Sequence, residues 1–122
     1  AGVRLTSGSG SWASLSDKNM KENFVETEGI SVLNKLMSIP ILTWNYKTES
    51  EDIRHMGPMA QDFYKEFELG DSEKSISTVD ADGIALSAIQ GLMELMTSTD
   101  SKIKALELDI SNLEKELSGD LD

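Results

Sequence analysis

The most regular pattern in the chain is an apolar stripe in its last third. Ala85, Ile89, Leu92, Met96, Thr99, Ile103, Leu106, Ile110, Leu113 and Leu117 follow one another in steps of four and three, the spacing of a heptad seam on one helix. A lone helix would leave that stripe in water, so the pattern predicts an oligomerisation coil over residues 85–118 that needs partner chains, with 119–122 as a short tail. Ile103/Leu106 and Ile110/Leu113 fit the β-branched-then-Leu preference of two-stranded coils. Met96 and Thr99 fit no preference, so the seam by itself leaves dimer and trimer open. The flanking positions are mostly acidic (Glu107, Asp109, Glu114, Glu116), with Lys102 as an exception. Parallel self-assembly would therefore carry some repulsion, and the coil should be sensitive to salt.

Ahead of the coil the patterns are shorter. Residues 2–5 alternate apolar and polar side chains before TSGSGSW breaks the pattern, so residues 1–15 read as the end of an upstream β-structured fibre domain. Residues 17–23 read as an irregular or short helical link. Ile30, Leu33, Leu36 and Met37 fall at helical spacing between a start at Thr27-Glu28 and a stop at Pro40, which predicts a helix over 29–38. Leu42, Trp44 and Tyr46 share one face of an extended chain, predicting a strand over 41–47. TESED turns the chain, and Ile53–Met56 can pair back as a second strand. Gly57-Pro58 then introduces a helix over 58–67, with Pro at its first position and Met59, Phe63 and Phe67 on one side. LGDSEKS is a loop, and Asp80 offers an N-cap for the long helix. The fold class is α+β: a small mixed domain over 16–84, followed by a long helix in a parallel coiled coil. A unit of about 70 residues holds a core worth only a few kcal/mol, so association should supply the remainder.

Composition narrows the functions. Eleven Lys and Arg stand against 22 Asp and Glu, a formal charge of −11, and no basic cluster could follow a phosphate backbone, which argues against nucleic acid. With no cysteine, disulfides and thiolate metal sites are excluded. No apolar run nears the roughly 18 residues of a membrane span. The opening AGVRLTSGSG lacks the layout of a signal peptide and starts in mid-pattern, as if cut from something longer. Asp80-Ala-Asp82-Gly83 hints at a calcium loop but lacks its third ligand and distal Glu, so it reads as a cap and no metal is expected. Met56, Met59, Met93 and Met96 read as packing residues.

Two features carry potential chemistry. In LSDKNMKENF, Ser16 stands five residues ahead of Lys21. Spacing alone favours a Ser N-cap beside a solvated Lys. The chemical alternative is a Ser/Lys dyad, in which a desolvated, neutral lysine takes the serine proton so that Oγ can attack a carbonyl. His55, the only histidine, sits at a strand–helix junction where a structural role is the commoner one.

SDKNMKENF, IPILTWNYK, IRHMGPMAQDFYKEF and ISTVDADGIALSAIQGL occur in that order ahead of the coil. Together they resemble the intramolecular chaperone auto-processing domain at the C-terminus of phage endosialidase tailspikes, other phage tail fibres, bacterial surface proteins and myelin regulatory factor. The resemblance spans roughly residues 12–117. It implies a homotrimer that aligns three chains so that an upstream β-rich fibre can fold, and then cuts itself off as a single-turnover serine peptidase without a cofactor. It makes Ser16 the nucleophile and Lys21 the base. His55 matches the histidine of the R-H-x-G-P motif, and Asp17 and Asn23 match polar positions flanking the dyad. Leu15–Ser16 is the preferred scissile bond, with Ser16–Asp17 open. A phage tail fibre or a cell-surface protein is the implied setting. The rival reading is a trimerisation and attachment module that never cleaves.

Overall fold

The computed structural model describes residues 2–119, and its elements fall close to where the apolar pattern predicts them. In chain order they are β1 (Val3–Arg4), β2 (Ala13–Ser14), a 3-10 turn (Lys18–Met20), α1 (Gly29–Met37), β3 (Leu42–Trp44), β4 (His55–Gly57), α2 (Ala60–Phe67) and α3 (Thr78–Gly119). The strands form two separate antiparallel pairs. Val3 faces Ser14 in the first, and Trp44 faces His55 in the second. This is the small mixed domain with a long final helix that the sequence predicts.

Several element ends differ from expectation. The second strand of the first pair, Ala13–Ser14, has too little apolar content to show in the sequence. Glu28 starts α1 from an extended conformation without a side-chain cap; its carbonyl accepts from Val32 at 3.0 Å. The Thr27 hydroxyl is engaged elsewhere, 2.8 Å from Ser87 Oγ on α3. Pro58 precedes α2 rather than opening it, since Met59 is the extended N-cap. The long helix starts at Thr78 because the Ser77 carbonyl already accepts the N–H groups of Asp80 and Ala81, at 3.0 and 3.1 Å. Asp80 thus lies inside the first turn, where a carboxylate favours the positive end of the helix dipole. The helix continues through Gly119; residues 120–122 of the expected tail lie outside the described residues.

The core is small: Ile39, Phe63, Ile84 and Ala88, with Ser87 as its polar member. Phe63 and Phe67 pack their rings 5.2 Å apart on one side of α2. On α3 the buried residues are Ile84, Ser87, Ala88 and Gly91, a face at spacings of three and four that α1 covers. The contact is close because both helices carry glycine at the crossing. A Cβ on Gly29 would stand 2.7 Å from the Gly91 nitrogen.

The seam residues Ile89, Leu92, Met96, Ile103, Leu106, Ile110, Leu113 and Leu117 lie on other faces of α3, and all are exposed in the single chain. The accessible surface is 10356 Å², against about 6,500 Å² for a folded monomer of this mass. The single chain therefore exposes more surface than a compact monomer of its mass, and the seam side chains are part of what it exposes.

Candidate functional site

The site begins where the first hairpin ends. The Leu15 N–H donates to the Gly2 carbonyl at 2.9 Å, one rung beyond the β1–β2 pairs. Asp17 is extended and caps the 3-10 turn: its Oδ1 accepts the Asn19 backbone N–H at 2.9 Å and the Asn19 side-chain amide at 3.1 Å. The Met20 N–H donates to the Asp17 carbonyl at 3.0 Å, and the Lys21 N–H to the Lys18 carbonyl at 3.2 Å. This tight turn brings the Lys21 side chain back over Ser16, and Nζ donates to Ser16 Oγ at 2.5 Å. Ser16 is not itself the cap. Asp17 takes that role, leaving the serine hydroxyl for lysine.

Ser16 and Lys21 are both exposed in the single chain. A lysine acts as a base only in its neutral form, which burial favours. The single chain supplies the spacing and orientation of the pair and leaves both side chains open to water.

The other predicted residues sit differently. Asn23 adopts a left-handed backbone (φ 55°), a conformation asparagine tolerates better than most residues, and it turns the chain ahead of Phe24. His55 is bound elsewhere: its Nε2 lies 2.7 Å from Glu49 Oε1, and its ring centroid is 5.0 Å from that of Trp44 and 5.4 Å from that of Tyr46. Glu49 also accepts the Tyr46 N–H at 2.8 Å, tying the turn between β3 and β4 to the histidine. Of the predicted set, the structure joins Ser16 and Lys21 by a hydrogen bond and sets the Asp17 cap between them. The bond of His55 serves the second strand pair.

Two features escaped the sequence reading. Glu49 lies in TESED, whose polarity suggests nothing beyond a solvated turn; its one signal is a carboxylate between strands that carry an aromatic and a histidine. The second is an apolar groove of about 780 Å³ bordered by Trp44, Met56, Pro58, Met59 and Ile76, with Lys74 also lining it. Its walls come from three separate segments, so no local pattern could reveal it.

Comparison with known families finds a match that covers this turn. Residues 16–69 match the chaperone of endosialidase family, one named among the peptidases. The match bears out the resemblance drawn from the motifs and contains three of the four. It starts at Ser16, so the hairpin lies outside it, and it ends ahead of α3. It supports a chaperone role. No curated protein matches the chain.

Proposed function

We propose that this chain is an intramolecular chaperone that trimerises through α3, guides the folding of a β-rich fibre joined ahead of it, and then releases that fibre by cutting itself beside Ser16. The observation that carries the reading is the Lys21 Nζ to Ser16 Oγ contact of 2.5 Å, located where the chaperone-family match begins.

In the reaction, neutral Lys21 takes the Ser16 hydroxyl proton as Oγ attacks the Leu15 carbonyl carbon. The tetrahedral intermediate collapses with loss of the Leu15–Ser16 C–N bond, and the Lys21 ammonium returns the proton to the departing Ser16 nitrogen. The product is an ester between the Leu15 acyl group and Ser16 Oγ. Water hydrolyses it, giving a Leu15 carboxylate, the free hydroxyl and a new N-terminus at Ser16. The substrate is the chain's own bond, which explains why the reaction needs neither a substrate pocket nor a cofactor.

A second reading is a trimerisation and attachment module that does not cleave. The exposure of Ser16 and Lys21 in the single chain favours it, because nothing there shields the pair from water. Mass spectrometry of a freshly expressed chain that includes the fibre separates the two. Fragments parting at Leu15–Ser16, absent from Ser16→Ala, support the peptidase. Fragments parting at Ser16–Asp17 move the scissile bond, and an intact trimer supports the module.

A further inference from the structure

The 3-10 turn that carries Lys21 back to Ser16 is three residues long, Lys18–Met20, and buries none of them. Residues 16–21 are all exposed in the single chain, so packing does not hold this turn in shape. A lone turn is weak by itself: its nucleus fixes several dihedral angles for one hydrogen bond, and 3-10 geometry makes that bond a poor one. Lys21 leaves the turn in an extended conformation, φ −123° and ψ 155°, so opening the turn would swing its side chain away from Ser16. Local hydrogen bonds are what remains to set the geometry of the pair.

Within the turn, three of these bonds have backbone donors: the Asn19 N–H to Asp17 Oδ1, the Met20 N–H to the Asp17 carbonyl and the Lys21 N–H to the Lys18 carbonyl. Any residue except proline would supply those donors. A further bond comes from a side chain. Asn19 Nδ2 donates to the same Asp17 Oδ1 at 3.1 Å, and this bond depends on which residue stands at position 19. The oxygen therefore takes two donors from one residue, and a carboxylate acceptor makes each bond stronger than a neutral one.

We propose that Asn19 is a positioning residue for the cut: its amide clamps the Asp17 carboxylate, and so holds the turn that keeps Lys21 Nζ on Ser16 Oγ. The inference rests on the peptidase reading above and adds a residue to it. The Asn19 side chain bonds to Asp17, while Lys21 Nζ bonds to Ser16, so Asn19 acts through its neighbour and not on a reacting atom. Its amide suits the place because the partner is an acceptor. Aspartate, of nearly the same shape, would set one carboxylate against another.

The rate of fragment formation in a freshly expressed chain that includes the fibre tests this, with sedimentation and thermal melts alongside. Asn19→Leu removes the donor at similar volume, and Asn19→Asp replaces it with an acceptor. Both should slow cleavage by about 10-fold or more, within the range that small misplacements of a reacting group cost. The oligomer and the melting temperature should not change, because the turn buries nothing. Adding Asp17→Asn to Asn19→Asp again sets a donor against an acceptor, and should return cleavage to the rate of Asp17→Asn alone. A residue needed only for general stability would show no such rescue. Asn19→Leu cutting at the parent rate would overturn the proposal, and so would an Asn19→Asp loss that Asp17→Asn does not relieve. If the parent chain does not cut, the peptidase reading falls, and positioning is read from nuclear Overhauser contacts between the Lys21 ε-methylene and the Ser16 β-methylene. Contacts present in the parent and lost in Asn19→Leu would uphold it; their absence from the parent, or persistence in Asn19→Leu, would overturn it.

Discussion

Gly29 of α1 and Gly91 of α3 meet backbone to backbone, and neither helix has room there for a side chain. A Cβ on Gly29 would stand 2.7 Å from the Gly91 nitrogen, 2.8 Å from its Cα and 2.9 Å from the Ser87 carbonyl oxygen. All three are backbone atoms, so relief requires the helices to part. The crossing fixes the start of α1, four residues beyond Val25.

Gly91→Ala should therefore destabilise the fold although alanine is the better helix former. The helical preference is worth about 0.5–1 kcal/mol, and overpacking at a tight contact costs about 1–3 kcal/mol. Gly83→Ala is the control, because a Cβ there meets nothing within 4 Å; it should stabilise by about 0.5–1 kcal/mol. Denaturant midpoints measure both. A Gly91→Ala chain as stable as the Gly83→Ala chain would refute the close crossing.

The Thr27–Ser87 hydroxyl pair should contribute about 1 kcal/mol. Its 2.8 Å bond joins the residue ahead of α1's cap to a buried position on α3. Ser87→Ala and Thr27→Val should each cost about that much, and the double variant less than their sum. Strict additivity in thermal melts would mean that the two do not interact.

Ile103→Asp with Ile110→Asp should dissociate the chain, since both residues are exposed in the single chain and the pair would place like charges along the seam. Sedimentation should shift to one chain's 13.4 kDa, and a fibre-bearing chain should lose self-cleavage as well. For the unmodified chain, added salt should strengthen association by screening the acidic flanks. A monomeric double variant that still cuts at the parent rate would show that the site is complete within one chain.

Lys21→Arg separates holding the hydroxyl from deprotonating it. Arginine can keep a hydrogen bond to Ser16 Oγ, but it stays charged at working pH and is no base. Cleavage should fall as far as in Lys21→Met, by at least the 10²-fold typical of losing a general base. Activity retained in Lys21→Arg and lost in Lys21→Met would make lysine a positioning group.

The fold was legible where a period ran long enough to be read. Ile30, Leu33, Leu36 and Met37 announced α1, and Leu42, Trp44 and Tyr46 with the run Ile53–Met56 announced the paired strands. Where one polar atom decided an element's end, the pattern failed. Ser77's carbonyl started α3 early, and Glu28 left the capping to its backbone. At the site, the separation of Ser16 and Lys21 could be read from the sequence. That Asp17 caps the turn could not, because Ser, Asp and Asn are all plausible caps and only geometry chooses among them. Glu49 was hidden by the polarity of its neighbours. The groove was hidden because its walls come from distant segments.

The Leu15 N–H to Gly2 bond has a bearing on what a cut would leave behind. A break at Leu15–Ser16 falls just past the last rung of the hairpin, so the severed upper piece would end in chain already paired with its own strand. Exopeptidases take hold of frayed ends. Such a product would have almost none to offer, and separation would cost the fibre no order at its new terminus.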